Sequence, residues 1–331
     1  MIAQLDKEFV RASKRNTIVR LQSYFFYEGR PLTTKGQWIN PIVFFLFRVW
    51  HHLPQMRKVR KPAFVIGTGR SGTTVLGVIL AMHKKVGFLN EPKALWHSAY
   101  PNEDIIGSYS HGPASYRLDA DQATKKVVKK MHRMMGSYLF WTRRNRLVDK
   151  YPELIFRLPF VLKVFPDAKF LFLVRNGWDT IQSIDHWSER LGTTHNGETH
   201  DWWGRNDRKW KCLVTDLVSG HPHFSKYTKE LEELKDHTHR AAVEWVLTME
   251  EGLKAMDYYS TQCMMVRYEE LVTSKDKVLQ DLLGFLELPE DETFTEYAKS
   301  KLNAAPPKST LDLPGFILDP FVSTMEKLGY Q

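Results

Sequence analysis

Cysteine is nearly absent from this 331-residue chain, which carries Cys212 and Cys263 and no Cys-x-x-Cys pair. Two cysteines cannot build a disulfide framework, and so few of them are typical of a reducing compartment. No HExxH motif is present, and the histidines are irregularly spaced along the chain. We therefore expect neither a disulfide-stapled secreted domain nor a resident metal.

Long apolar runs are also missing. The longest covers residues 41–49, is interrupted by Arg48 and falls short of the ~18 residues expected of a membrane-spanning helix. The first residues contain no apolar stretch of the kind that a secretory signal requires. These absences favour a cytoplasmic protein. The aromatic run leaves open a peripheral contact at the inner face of a membrane, helped by basic residues near 57–61.

Acidic residues are fewer than basic ones: the chain has 38 Asp and Glu against 47 Lys and Arg, which gives a formal net charge of +9. An excess of positive charge indicates an anionic partner, such as nucleic acid, an anionic membrane or a phosphate-rich cofactor, or it serves solubility alone. The basic residues are spread along the chain and form no nucleic-acid-binding motif. We therefore expect no nucleic-acid partner.

Short apolar runs alternate with helix-compatible segments. The runs predict strands at 63–66, 86–89, 147–148, 169–174 and 263–266. Helices are predicted at 75–82, 121–141, 152–165, 178–190, 239–258, 276–287, 291–302 and 318–328. This alternation predicts an α/β protein, a doubly wound parallel sheet with a P-loop and helices on both faces.

The predicted domain covers residues 62–331 and carries an insertion at about 191–235 that is rich in Gly, His and Trp. Residues 1–61 form an N-terminal helical and aromatic segment. The segment is predicted to pack on the domain, and whether it also faces a membrane or the acceptor stays open.

A glycine-rich turn, GTGRSGTT at residues 67–74, joins the first predicted strand to the first predicted helix. Backbone N–H groups in such a turn and the positive end of the following helix favour a bound anion. Thr73 occupies the position that a Walker A loop gives to lysine, which argues against an ordinary kinase or ATPase. The basic residue is Arg70, whose guanidinium suits a shorter phosphosulfate group. The alternative is a turn that only packs strand against helix.

Four strings together resemble the family of sulfotransferases that use 3′-phosphoadenosine 5′-phosphosulfate (PAPS) and release 3′-phosphoadenosine 5′-phosphate (PAP). The strings are GRSGTT, FLFLVRNGWDTIQS, VRYEELVTS and MEKLGY, in that order. The resemblance covers the chain from about residue 62 onward and is closest to the carboxylate-base branches, the tyrosylprotein-like and bacterial ones. It implies that a sulfuryl group moves from PAPS to an acceptor hydroxyl.

The resemblance also assigns the donor-binding residues. These are Arg70, Ser71, Gly72, Thr73 and Thr74 at the phosphosulfate, Arg175 and Ser183 at the 3′-phosphate, Tyr268 at the adenine, and Lys308 and Ser309 in a closing loop. Arg175 follows the strand at 169–174, and ligands of parallel sheets lie at such strand ends. Simpler alternatives are a salt bridge from Arg175 to Asp179, a core role for Tyr268 and a merely solvated Lys308.

Two further residues are assigned to catalysis. Glu91, in the string FLNEPKALWH, resembles the base of the carboxylate branch, and the alternatives are a helix cap after Pro92 or a role for His97 as the base. Lys150 resembles the family's cation at the leaving group, where Arg70 shares the work. Its alternative is a surface lysine at a helix start.

The acceptor is less well defined by the sequence. Four tryptophans of the region 187–210 suit either carbohydrate stacking or core packing: Trp187, Trp202, Trp203 and Trp210. We expect a carbohydrate or glycolipid hydroxyl, with a natural product as a further possibility. A P-loop kinase and a non-catalytic nucleotide-binding module stay as competing functions.

Overall fold

In a computed structural model that describes residues 2–195, 197–303 and 308–330, eight strands form two sheets. The strands are β1 Ala63–Gly67, β2 Val86–Asn90, β3 Arg146–Lys150, β4 Lys169–Val174, β5 Thr193–His195, β6 Glu198–Asp201, β7 Gly204–Arg205 and β8 Cys263–Arg267. The main sheet has the order β2-β3-β1-β4-β8, and its neighbouring strands are all parallel. All five predicted core strands are therefore present.

Helices cover both faces of this sheet, as predicted. In β1, Phe64 and Ile66 pack into one apolar core while Ala63 and Val65 pack into another. This alternation is the period-two pattern of a strand buried on both sides. The fold is therefore the predicted α/β class, and the loops after the strands meet at one edge of the sheet.

The helices follow the strands in the predicted order. They are α1 Lys7–Ala12, α2 Lys14–Phe26, α3 Asn40–His52, α4 Thr73–Met82, α5 Lys93–Ala99, α6 Lys125–Trp141, α7 Leu158–Val164, α8 Gly177–Leu191, α9 Arg208–Leu213, α10 Thr228–Glu233, α11 His237–Tyr258, α12 Tyr268–Thr273, α13 Lys275–Phe285, α14 Glu292–Lys301 and α15 Gly315–Lys327. The first core contains residues of α3, α6, α11 and α15, and the second contains residues of α4, α13 and α14.

Two predicted helices differ most from the structure at their first turns, while the others begin within about three residues of the predicted position. The helix expected over 121–141 begins at Lys125, because the Thr124 hydroxyl accepts a hydrogen bond from the Val127 N–H and so marks the N-cap. The helix expected over 152–165 begins as a 3-10 segment, Pro152–Arg157, and becomes α-helical only in α7. Apolar spacing alone does not separate these two helix types.

The N-terminal segment packs against the main domain through one face of α3 and the end of α2. Tyr27 stacks on Trp50 with ring centroids 4.5 Å apart, and Val43 and Phe47 lie in the same core. The opposite face of α3 is open to solvent. Among the described residues, no helix combines the length and apolarity needed to cross a bilayer.

The insertion is more ordered than its irregular sequence indicates. Strands β5, β6 and β7 form an antiparallel sheet, and α9 and α10 follow it. Trp203 and Trp210 are buried core residues, and the indole N–H of Trp210 donates to the Leu231 carbonyl at 2.9 Å. These two tryptophans therefore pack the insertion, whereas Trp187 and Trp202 line a cleft.

Candidate active site

A cleft with a volume of about 460 Å³ lies at the carboxyl edge of the main sheet. The loops after β1, β2, β3, β4 and β8 all reach it, because parallel strands end at the same edge. Most of the predicted site residues line this cleft: Arg70, Gly72, Thr73, Thr74, Glu91, Lys150, Arg175, Ser183 and Tyr268.

The turn between β1 and α4 has backbone angles that explain its glycines. Gly67 has φ 136° and Gly72 has φ 102°. A Cβ at Gly72 would lie 2.5 Å from the Tyr268 ring, so a side chain has no room there. The turn also holds Arg70 at φ 69°, a strained conformation for a residue other than glycine. In this conformation Arg70 lines the cleft.

Ser71 differs from its neighbours in the same turn. Its side chain is fully buried, and its hydroxyl donates to the Thr68 carbonyl at 2.6 Å. It does not line the cleft, so its hydroxyl supports the shape of the turn. Thr73 and Thr74, at the start of α4, do face the cleft.

Arg70 connects the turn to α8. Its Nε donates to the Ser183 hydroxyl at 3.1 Å, and both residues also line a neighbouring pocket with Arg190 and Lys308. Burial, and then the charges of Arg190 and Arg175, lower the pKa of the Arg70 guanidinium. Several cations therefore crowd one region, and a bound anion would relieve their repulsion.

Arg175, directly after β4, makes two contacts within the cleft. It forms a salt bridge with Asp179 at 3.2 Å, and its guanidinium lies 4.4 Å from the centre of the Tyr268 ring. The simple alternative of a salt bridge is thus present, and Arg175 lines the cleft as well. Tyr268 packs against Gly72, so its ring closes the space beside the turn.

The predicted closing loop lies beside the cleft. Asp179 accepts a hydrogen bond from the Lys308 N–H at 2.8 Å, and the Ser309 carbonyl accepts one from Gln182 at 2.6 Å. Lys308 lines the neighbouring pocket, while the exposed Ser309 lines neither pocket.

Glu91 and Lys150 form an ion pair at the bottom of the cleft. The Glu91 side chain is 36% exposed and that of Lys150 is 3% exposed. Glu91 has φ 48°, and its N–H donates to the Lys150 carbonyl at 2.7 Å. The N-cap residue of α5 is Pro92, so Glu91 does not cap that helix through its side chain. Lys150 is likewise buried and is not a surface lysine.

The charges around Glu91 set its protonation. Burial acts to raise the pKa of its carboxyl, but the charges of Lys150 and Lys93 outweigh burial and place the pKa below the ordinary 4.5. Lys93 lies 3.5 Å from Glu91 and 3.2 Å from Glu153. Glu91 is therefore a carboxylate at neutral pH, as proton abstraction requires.

Several residues of the cleft are not predicted from the sequence. Lys93 lies two positions after Glu91, and this closeness in sequence is the one feature that could have predicted its place in the cleft. Lys209 lies 2.6 Å from Glu244 and 3.7 Å from Glu153, so a chain of alternating charges runs from Glu91 into the insertion. Neither Lys209 nor Glu244 carries a local sequence signal for this position.

Trp202 from the insertion covers the glycine-rich turn at residues 67–74. A Cβ at Gly69 would collide with the Trp202 ring, so the two are in close contact. The Trp202 indole N–H donates to Glu244 at 2.9 Å, and the ring packs edge-to-face on Trp187 at 5.4 Å. These contacts hold one aromatic surface beside the turn.

His97, the alternative base, does not line the cleft. Its Nδ1 lies 3.1 Å from the Pro101 carbonyl, and burial lowers the pKa of its imidazole. We find no candidate metal site. Within residues 2–195, 197–303 and 308–330, no three or more His, Cys, Asp or Glu side chains are grouped so that they could hold a metal ion.

The N-terminal segment builds one wall of the cleft. Eight of its residues line it: Gln4, Tyr24, Glu28, Gly29, Arg30, Pro31, Thr33 and Thr34. This wall stands beside Glu91, because Glu28 accepts a hydrogen bond from the Asn90 N–H at 2.8 Å. The segment thus contributes to the site as well as to the core.

The fold and the cleft define a P-loop α/β protein with a glycine-rich turn and a paired carboxylate and lysine. Residues 62–292 match the model of the Sulfotransferase family. The chain belongs to the sulfotransferase family.

Curated relatives agree with this family. A protein-tyrosine sulfotransferase of Drosophila melanogaster is 24% identical over 248 residues, which are 73% of this chain and 42% of that protein. Protein-tyrosine sulfotransferase 1 of Danio rerio is 25% identical over 232 residues, 68% of this chain and 53% of that protein. The chain therefore spans about half the length of these relatives.

Solved structures are similar at lower identity. Sulfotransferase STF9 from Mycobacterium avium is 12% identical with a TM-score of 0.49, covering 100% of this chain and 98% of that chain. The sulfotransferase domain from the curacin biosynthetic pathway is 15% identical with a TM-score of 0.46, covering 83% of this chain and 99% of that domain.

Proposed function

We propose that the protein transfers a sulfuryl group from PAPS to an acceptor hydroxyl. The observation that carries the proposal is the hydrogen bond from Arg70 to Ser183, because it connects the glycine-rich turn to the second turn of α8 across one cation-rich cleft. PAPS carries two separate anionic groups, a phosphosulfate and a 3′-phosphate. The glycine-rich turn suits the phosphosulfate, and Arg175 with Ser183 suits the 3′-phosphate.

The catalytic roles follow from charge. Glu91 takes the proton from the acceptor hydroxyl, and the oxygen attacks the sulfur of PAPS. The bond from sulfur to the 5′-phosphate oxygen breaks, and PAP leaves with the negative charge. Lys150 and Arg70 stabilise that charge. A non-catalytic nucleotide-binding module would need neither Glu91 nor Lys150.

We further propose a carbohydrate or glycolipid as the acceptor. Trp187 and Trp202 present aromatic surface to the cleft, and Thr33, Thr34 and Asp201 present polar groups beside it. Aromatic faces next to hydrogen-bonding groups suit a sugar ring. A natural-product hydroxyl would need only the aromatic part of this surface.

Peripheral membrane contact is part of the same proposal. The outward face of α3 and the turn before it expose Trp38 at 75%, Phe45 at 61% and Ile42 at 48%. Exposed cations such as Arg48 and Lys58 accompany them. An apolar face with basic neighbours suits the inner surface of an anionic membrane, and this supports the proposal of a cytoplasmic protein. Free Cys212 and Cys263 suit that reducing compartment.

Nucleotide binding tests the donor assignment. PAP should raise the melting temperature clearly more than ATP or 5′-AMP, because only PAP places a phosphate at Arg175 and Ser183. Equal shifts for all three nucleotides would remove the 3′-phosphate assignment. A larger shift with ATP and magnesium would instead favour a P-loop kinase. Incubation of the protein with labelled PAPS and a set of cell-envelope glycans, glycolipids and phenols then identifies the acceptor by the compound that takes up the label.

A further inference from the structure

Arg30 is a buried cation in the cleft wall without a carboxylate partner. Arg30 is 3% exposed, and no Asp or Glu of the described part of the chain forms an ion pair with it. The other cations that line the cleft have a polar partner among the described residues. Lys93, Lys150, Arg175 and Lys209 each pair with a carboxylate, and Arg70 bonds to Ser183.

The Arg30 guanidinium is held in a fixed position. It lies 3.4 Å from the centre of the Tyr24 ring, and its Nη1 donates to the Gly29 carbonyl at 2.6 Å. The Asn40 side chain fixes the backbone, since it accepts from the Arg30 N–H and donates to the Arg30 carbonyl, both at 2.8 Å. A guanidinium fixed in this way loses little side-chain entropy on binding a ligand.

The same loop is docked on the chain segment that carries Glu91. Glu28 bonds to the Asn90 N–H at 2.8 Å, immediately before Glu91. Gly29 has φ 70°, and a Cβ there would collide with the Ala94 side chain. Only glycine permits this approach, so Arg30 is fixed in a loop that packs on this segment, and it lines the same cleft as the proposed base.

We propose that Arg30 binds an anionic group of the acceptor, a carboxylate, phosphate or sulfate near the hydroxyl that is sulfated. This inference rests on the proposed function. Burying a charge is costly unless an opposite charge meets it, and an oxyanion from the cleft would do so through two parallel hydrogen bonds. Thr33, Thr34 and Gln4 add neutral polar groups to the same wall. A hydroxylated acid or a phosphorylated sugar has this chemistry.

Binding measured with PAP present tests the inference separately from the donor assignment. The protein is saturated with PAP and titrated in a calorimeter with p-nitrophenyl β-glucuronide and p-nitrophenyl β-glucoside, which differ by one carboxylate. We expect the glucuronide to bind about tenfold more tightly than the glucoside, the ratio typical of one charged hydrogen-bond pair. Arg30→Gln should make the two affinities equal.

Lys35→Gln is the matched control, because Lys35 is an exposed cation five positions along that does not line the cleft. The Lys35→Gln variant should still bind the glucuronide more tightly than the glucoside. Equal affinities in the wild type, or a preference that survives Arg30→Gln, overturn the inference. Loss of the PAP melting shift itself would instead count against the donor assignment.

If neither glycoside binds, crystals of the PAP complex soaked in selenate decide the question. An anomalous selenium peak in contact with the Arg30 guanidinium, absent from Arg30→Gln crystals, supports the inference. Selenate found only at the phosphate turn, or nowhere in the cleft, overturns it.

Discussion

The Lys150 ammonium donates a hydrogen bond to the Glu91 carboxylate and thereby joins the ends of β3 and β2. The two strands are neighbours in the sheet, and Asn90 pairs with Lys150 in their register. The pair therefore follows from the fold itself and does not depend on a mobile loop. In the proposed reaction the lysine first keeps Glu91 charged and then stabilises the departing phosphate.

Replacing Glu91 by Gln should lower turnover of labelled PAPS by about 10²–10⁴-fold, the usual contribution of a general base. The amide keeps the size of the side chain but cannot take a proton. PAP should still raise the melting temperature, because the donor contacts lie elsewhere. His97→Asn is the control and should leave turnover nearly unchanged. The reverse pattern would identify His97 as the base.

The pH dependence of kcat/KM should reflect the lowered pKa of Glu91. Since Lys150 and Lys93 hold that pKa below 4.5, the carboxylate persists through the neutral range and is lost only as the pH falls through the lowered value. We expect no acidic limb above pH 4.5, measured where circular dichroism shows the protein folded. An acidic limb near the ordinary pKa of histidine, about 6.5, would point to another base.

Ser183→Ala should weaken PAP binding about tenfold and leave 5′-AMP binding unchanged. The variant removes a hydroxyl that Arg70 contacts at 3.1 Å and that we assign to the 3′-phosphate, and a hydrogen bond to a charged group has this magnitude. Isothermal titration with both nucleotides measures the ratio. Ser225→Ala is the matched control, because Ser225 is exposed and lines neither pocket. An equal loss for PAP and 5′-AMP would place Ser183 at the other phosphate.

Gly69→Ala should weaken PAP binding because the new methyl group would collide with the Trp202 ring. Trp202 cannot easily retreat, since Glu244 and Trp187 hold it, and overpacking of this kind costs ~1–3 kcal/mol. Adding Trp202→Ala should restore the affinity to that of Trp202→Ala alone. Non-additivity of the two changes, measured by titration with PAP, would establish the contact.

The parts of the site that lie on one continuous strand and its following loop were predictable. Arg70, Glu91 and Arg175 each stand just after an apolar run, and the parallel sheet brings such positions together. Their identity as site candidates therefore needed no long-range information. Ser71 shows the limit of this reasoning, because its hydroxyl turns back to the Thr68 carbonyl and only the folded turn reveals that.

The walls of the cleft were not predictable in the same way. Trp202 and Lys209 come from the insertion, whose short antiparallel strands have too few residues to show a period. Arg30 reaches the cleft only because Gly29 permits close approach to Ala94, a contact between segments far apart in the sequence. The pattern of hydrophobic residues along the sequence does not indicate which distant segments come into contact.

Membrane contact through α3 can be tested with vesicles. The wild-type protein should cosediment with phosphatidylglycerol vesicles, because Trp38 and Phe45 are 75% and 61% exposed and basic residues flank them. The double variant Trp38→Ser and Phe45→Ser should bind at least about tenfold more weakly, given the apolar area it removes.

The control for this experiment replaces two exposed apolar residues elsewhere, Tyr258→Ser and Val322→Ser. It should cosediment like the wild type. Equal binding by both double variants, or no binding by the wild type, would exclude the α3 face as a membrane contact. Phosphatidylcholine vesicles separate the two contributions, since weaker binding to this neutral lipid would show that the basic residues act together with the aromatic ones.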